Sequence, residues 1–259
     1  MWEKEIEVAL YAIKKAREKV LEIYHSSDFG VEIKEDNSPV TKADKMSDEI
    51  IRNILKENFP NYAILTEESI DDKSRLNNDF VWIVDPIDGT KEFVAHNDQF
   101  TINIALSYKH DIVVGVIDIP VYDETFYMGK GKGSFYIHNG VEKQIHVNDK
   151  KDNLIALTSR FHVNEDEIQL INKHQDRITK IETIGSSIKG CYIAMGKAEI
   201  SYRKSPNTKE WDTAAMQGIL EEAGGYLLTF DKKPLRYNRE DVYNREGYIL
   251  INNIDNFLI

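Results

Sequence analysis

The run Trp82-Ile83-Val84-Asp85-Pro86-Ile87-Asp88-Gly89-Thr90 constrains this chain more than any other segment. Trp82 to Val84 are β-formers and predict a buried strand heading into a turn. Asp85 and Asp88 follow, separated by Ile87 and by Pro86, whose fixed φ narrows the directions the two carboxylates can take. Gly89 permits a tight backbone, and Thr90 sits where a helix can begin. Acids crowded at a strand end repel one another, and a bound cation usually offsets that repulsion. The run is therefore a candidate divalent-metal site opening onto a helix N-terminus, where a phosphate would also be welcome. Aspartates at such junctions also serve as plain caps, so the chain's other acids decide between the readings.

With 259 residues, the chain can bury a substantial core, in one large or two closely joined domains. No run approaches a membrane span, and the N-terminus lacks a signal-peptide pattern. Trp2, Ile6, Ala9, Leu10, Ile13, Ala16 and Val20 recur there at helical spacing instead. Cys191 is the single cysteine, which rules out an intrachain disulfide and predicts a reducing, cytoplasmic setting. It lies in an apolar stretch and reads as core. Nothing suggests stable membrane insertion, and neither peripheral attachment nor oligomeric state is fixed by the sequence. The net charge of −11, from 33 basic and 44 acidic residues, argues against long nucleic acid as a partner. A small phosphorylated substrate is compatible with that charge only if bound cations reverse the local field.

Periodicity predicts helices over about 2–24 and about 42–58, the second with Met46, Ile50, Ile51, Ile54 and Leu55 on one face and Pro60 closing it. Strands are expected near 62–65 and 80–84. Further strands near 100–108, 112–119, 124–128 and 133–137 alternate as an antiparallel meander, with Asn139-Gly140 as a hairpin turn. Beyond about 150, strand and helix alternate: 154–158, a helix near 164–174, then 187–195, 198–203, 211–223, and strands near 226–230 and 248–252. This predicts an α/β (α+β) protein of two layered subdomains, 1–145 and 146–259.

Several tempting motifs fail. Gly129-Lys130-Gly131-Lys132-Gly133 lacks dinucleotide-fingerprint spacing and reads as a turn between strands. Gly190 to Ala198 misses the phosphate-loop pattern, the seven histidines lack metal-ligand spacing, and no nucleophile-elbow serine occurs. The acids behave differently. Glu67 and Glu68 end a short strand, Asp44 begins the second helix, and Asp212 opens a later helix that stops at Gly224-Gly225. Taken singly, Asp44 and Asp212 read equally as charges complementing a helix dipole, and Glu67 as a solvated strand end.

Together, Ser38-Pro39-Val40-Thr41-x-x-Asp44, Glu67-Glu68, Asp85-Pro86-Ile87-Asp88-Gly89-Thr90 and Trp211-Asp212-Thr213-Ala214-Ala215 resemble the motifs of the inositol monophosphatase superfamily, in order along the whole chain. Within it the chain is most similar to the 3′(2′),5′-bisphosphate nucleotidases of the CysQ type. That likeness is carried by Lys91-Glu92-Phe93, the segment Phe100 to Leu106, Ser159-Arg160-x-His162, Gly185-Ser186-Ser187-Ile188-Lys189 and Pro206-Asn207-Thr208.

The resemblance implies a layered αβαβα sandwich and a lithium-sensitive, Mg2+-dependent phosphatase. Glu67, Asp85, Asp88 and Asp212, with the Ile87 carbonyl, would hold two or three Mg2+, a hard cation suited to oxygen ligands. Asp44 and Thr90 would pair to orient and deprotonate a metal-activated water for in-line attack on phosphorus, with Glu67 also holding that water. Substrate would meet Ile87, Asp88, Gly89, Thr90 and Asp212, with the backbone N–H groups of Gly89 and Thr90 on the scissile phosphate. Ser186, Lys189, Arg203 and Arg160 would serve a second phosphate. His162 reads either as a nucleotide contact or as a helix cap, and Glu210 either as a partner of substrate hydroxyls or as a plain first-turn acid. The implied reaction converts adenosine 3′,5′-bisphosphate to AMP and phosphate, as in sulfate assimilation. An inositol-1-phosphate or sugar-phosphate phosphatase of the same fold is the alternative enzyme. A catalytically silent metal- or nucleotide-binding regulator is the alternative outside catalysis.

Overall fold

A computed structural model describes residues 1–26, 29–34, 39–162 and 164–259; Ser38 of the first motif lies outside them. Helices α1 (Glu3–Tyr24) and α2 (Lys42–Asn58) pack side by side, with the short hairpin β1 (Glu32–Ile33) and β2 (Pro39–Val40) between them in sequence. α2 starts on a capping box, in which the Thr41 side chain accepts the Ala43 and Asp44 N–H groups while Asp44 accepts the Thr41 N–H. Of the apolar face expected on α2, Ile51 and Leu55 are fully buried, and each contributes about 1.5–3 kcal/mol by leaving water. Besides Ala43, the rest of the buried face is polar: Asp44, Ser47 and Asp48.

Seven strands form the first sheet in sequence order: β3 (Ala63–Thr66), β4 (Phe80–Asp88), β5 (Thr101–Tyr108), β6 (Asp111–Ile119), β7 (Glu124–Gly129), β8 (Gly133–His138) and β9 (Val141–Ile145). Only the β3–β4 pair is parallel. The antiparallel meander is as the alternation predicts, and Asn139 and Gly140, both at positive φ, turn β8 into β9. Strand β9 is an addition to the expected set; its sequence Val-Glu-Lys-Gln-Ile is mostly exposed and carries little apolar signal.

The second sheet runs β11-β10-β12-β14-β13, from β10 (Leu154–Thr158), β11 (Ile178–Thr183), β12 (Ile200–Arg203), β13 (Tyr226–Leu228) and β14 (Tyr248–Ile251). β11 is a second addition: this edge strand is exposed over all but its first residue, so it lacks a buried stripe. Between the sheets lie α5 (Ile188–Ala194) and α6 (Glu210–Glu222), which follow the short α3 (Thr90–Val94) and α4 (Glu165–Lys173) in sequence.

Strand alternation fixes the layers. Trp82, Val84, Ile102, Ile104, Val114 and Val116 join the core of α1 and α2, whereas Val81, Ile83 and Ala105 join the core of α5 and α6. On the far side, Leu157, Tyr248 and Leu250 face α5 and α6, and Leu154, Ala156 and Ile249 pack with Ile171 of α4. The result is the αβαβα sandwich. α6 lies close on the first sheet because Gly115 has no side chain: a Cβ there would stand 3.0 Å from the Ala215 carbonyl oxygen. α5 meets α6 equally closely, since a Cβ on Gly190 would stand 2.1 Å from Met216 Cγ.

Candidate active site

β4 does not stop at Val84 but continues through the acidic run to Asp88, with a register break. Asp85 pairs with Asn103 and Asp88 with Thr101, so three steps on β4 match two on β5. This bulge accommodates Pro86, which has no N–H to give the ladder. It also reverses the alternation, so that Asp85 and Asp88 both face α6 while Ile87 stays in the core of α1 and α2. The first turn of α6 brings in Asp212, whose Oδ2 accepts the Lys209 N–H at 2.6 Å. Asp85, Asp88 and Asp212 each offer an oxygen within 4.8 Å of the others, the one such trio among the described residues.

These three are not equally satisfied. Asp88 Oδ2 accepts the N–H and the hydroxyl of Ser187, both at 2.6 Å. Asp85 is buried, and neither of its oxygens has a donor. Such burial is costly unless something positive meets the group. Burial first, then Glu67, Asp88 and Asp212, push the Asp85 carboxyl well above the usual range. Asp212 is pushed up to about 7, by burial and then by Asp88 and Glu67. An all-oxygen set of mutually repelling carboxylates, one of them without any donor, fits a hard divalent cation.

Asp44 stands behind this trio. Its Oδ2 takes the Thr41 N–H at 2.7 Å and the Thr41 hydroxyl at 2.5 Å, leaving Oδ1 to accept the Thr90 hydroxyl at 3.0 Å. It is thus both a cap, as its position at the start of α2 predicts, and a partner of Thr90. Burial raises its carboxyl above the ordinary value despite those donors. Glu67 lines the same cavity outside the tight trio, and its carboxylate is met by Lys34, which bridges Glu67 at 3.0 Å and Glu68 at 2.5 Å.

The cavity holds about 490 Å3. Its lining carries Glu67, Asp85, Asp88 and Asp212 together with Lys91, His162, Lys189 and Arg203. Lys189 is buried and donates to the Ile184 and Ser186 carbonyls at 3.3 and 2.7 Å. Burial pulls it down to about 8, and nearby Arg203 adds to the effect. His162 falls to about 4 through burial and then the charges of Lys91 and Arg203, so its ring is neutral at pH 7. Arg203 donates to the His162 carbonyl at 2.8 Å.

Arg160 lies outside the cavity, bound to Gln99 and the Thr183 carbonyl. Glu210 is also elsewhere: fully buried, it accepts the N–H groups of Asn238 and Arg239 at 2.7 and 2.8 Å. Ser186 lines the cavity, but its hydroxyl bonds Thr101 at 3.0 Å. The helix cap ahead of α4 is Asn164 rather than His162.

The family profile for "Inositol monophosphatase family" matches residues 1–255. This chain belongs to that family. Among relatives, the 3′(2′),5′-bisphosphate nucleotidase CysQ of Escherichia coli (strain K12) is 33% identical over 240 residues, 91% of this chain and 94% of the relative. CysQ of Salmonella typhimurium is 36% identical over 219 residues, 83% and 86% of the two chains. The crystal structure of CysQ from Bacteroides thetaiotaomicron superposes with a TM-score of 0.85 at 36% identity, covering 97% of this chain and 98% of that one. An inositol monophosphatase from Thermotoga maritima gives 0.80 at 26% identity, with 96% and 92% covered.

In this inositol monophosphatase family member, sequence reasoning missed Lys34, Lys91, Tyr243 and Tyr248, of which the last three line the cavity. Lys91 follows the acidic run directly and could have been found from its place beside an anion-binding turn. No sequence signal marks the others.

Proposed function

We propose that the chain is a Mg2+-dependent phosphatase that hydrolyses adenosine 3′,5′-bisphosphate to AMP and phosphate. The observation that carries this reading is the mixed lining of the cavity: the donor-less Asp85 with Glu67, Asp88 and Asp212, and beside these acids the buried Lys189 with Lys91, Arg203 and His162. A substrate with two phosphates matches both sets of groups, and the CysQ relatives are named for such a substrate. Glu67, Asp85, Asp88, Asp212 and the Ile87 carbonyl would hold the cation. Bound there, Mg2+ supplies positive charge that eases ionisation of water and neutralises the phosphoryl oxygens.

The chain's own groups do the rest. The Thr90 hydroxyl donates a hydrogen bond to Asp44, so its oxygen is left to accept from an attacking water. As that water gives its proton to Thr90 Oγ1, the Thr90 proton passes to Asp44, whose basicity burial raises and whose second oxygen Thr41 holds. Gly89, at φ 94, turns the backbone so that the residues after it wrap the scissile phosphate. Lys189, Lys91 and Arg203 would meet the second phosphate, with Ser186 also in the lining. We read residues 1–145 and 146–259 as two closely packed subdomains, a division supported by one large sheet in each, and the cytoplasm and sulfate assimilation are the expected setting. Among the described residues, no helix is long and apolar enough to cross a membrane.

The test is phosphate release from adenosine 3′,5′-bisphosphate and inositol-1-phosphate side by side, with Mg2+ and with added lithium. A lithium-sensitive preference for the bisphosphate supports the reading. Preference for inositol-1-phosphate overturns the substrate assignment, and no turnover of either overturns the enzyme.

A further inference from the structure

Asp88 is the one member of the acidic trio with a full set of donors on a single oxygen, and those donors come from a different part of the chain. Ser187 lies just ahead of α5 and gives both its N–H and its hydroxyl to Asp88 Oδ2, each at 2.6 Å. The Ser187 hydroxyl has one proton, so its lone pairs are open to donors, and Asn103 Nδ2 supplies one at 2.9 Å from β5. The same Oγ stands 3.4 Å from the Asp212 carbonyl. Ser187 therefore touches the segments of two of the three clustered acids. A second arm runs from the Ser186 hydroxyl to Thr101 at 3.0 Å and from Thr101 to Asp88 Oδ2 at 3.5 Å.

This arrangement is built rather than incidental. Ser186 holds φ 50, a left-handed conformation that a serine adopts at a cost of about 1–3 kcal/mol. The turn through it is what brings the Ser187 N–H onto Asp88. Both Ser187 and Asn103 are buried. Three donors saturate Oδ2 and fix the rotation of the carboxylate, and the remaining oxygen, Oδ1, is the one left for a cation.

We propose that Ser187, seated on Asn103, is a positioning residue that sets the orientation of Asp88 and with it the affinity of the centre for Mg2+. The inference rests on the metal reading above. The same Gly185–Lys189 segment supplies both Ser187, which holds Asp88, and Lys189, two residues on, in the cavity lining.

The experiment is calorimetric titration of the metal-free protein with Mg2+, for wild type, Ser187→Ala, Asn103→Ala and the double variant, with unfolding temperatures of the metal-free forms as a control. Outer-shell partners of ligands typically carry tenfold or more in metal affinity. The expected result is that Ser187→Ala binds Mg2+ about tenfold more weakly. Asn103→Ala is expected to do the same in part, and the double variant to be no worse than Ser187→Ala, because both act through one hydrogen bond to Asp88. A merely structural serine would lower the metal-free unfolding temperature and leave the Mg2+ affinity unchanged. That outcome, or full additivity of the two substitutions, overturns the inference while leaving the metal reading intact. A wild-type protein that takes up no Mg2+ overturns both.

Discussion

Replacing Asp212 by asparagine should make the metal-free protein more stable, although it removes a proposed metal ligand. The folded protein holds this carboxyl up to about 7, against an ordinary 3.8. The unfolded chain releases the proton near the lower value, so between the two the folded state binds more protons than the unfolded state. Stability is thus fully present at low pH and lost as pH rises through that window. The displacement corresponds to about 4 kcal/mol. For a chain of this size that amounts to an unfolding-temperature difference on the order of 10 °C. The amide introduced by Asp212→Asn would keep an oxygen for the Lys209 N–H, so the start of α6 is retained. Scanning calorimetry of chelator-treated protein from pH 5 to 8.5 should show Asp212→Asn unfolding about 10 °C above wild type at pH 8, with the gap closing towards pH 5. Added Mg2+ should stabilise wild type strongly and the variant weakly. A variant less stable than wild type at pH 8, or a gap independent of pH, would refute the argument that Asp212 is held against repulsion.

Lys189→Ala removes a buried ammonium whose loss costs a charge-assisted hydrogen bond, about 1.5–3 kcal/mol. KM for the bisphosphate should rise roughly 10- to 100-fold, with a smaller change for a monophosphate, in steady-state phosphate release. Because Lys189 is pulled down to about 8, the wild-type KM for the bisphosphate should also climb as pH passes that value. Gly190→Ala places a Cβ against Met216 and should lower stability by about 1–3 kcal/mol in a denaturant titration, with Met216→Ala relieving part of it.

The sequence made the acids legible but not their convergence. The α1 and α2 patterns end within a residue of the observed helices, because amphipathic spacing and the Thr41 cap are local signals. The acidic run reads as a strand meeting a turn, yet its geometry depends on a bulge against Asn103 and Thr101, which local propensity does not encode. Thr101 and Asn103 sit in an ordinary strand, and only the partner element gives them a task. Lys34 and Tyr243 reach the site from loops whose sequences carry no periodicity. Glu210 reads in sequence either as a partner of substrate hydroxyls or as a plain first-turn acid, and the fold turns it inward onto the N–H groups of Asn238 and Arg239, which no local signal encodes. Arg160, which the resemblance implies for a second phosphate, bonds Gln99 and the Thr183 carbonyl outside the cavity lining, a placement set by residues distant in sequence.

The placement of Asp212 on α6 has a consequence for the order of events during synthesis. Asp44, Glu67, Asp85 and Asp88 all leave the ribosome before it, and α6 follows Asp88 by roughly ten seconds of translation. During that interval the first sheet has no layer of α5 and α6 over the face that carries Asp85 and Asp88, and those carboxylates remain open to water. The proposed centre closes only when α6 docks against the sheet, with β13 and β14 still to follow. On the proposed reading, cation uptake waits for the second half of the chain, and because binding favours only the closed form, the ion would hold the docked α6 in place.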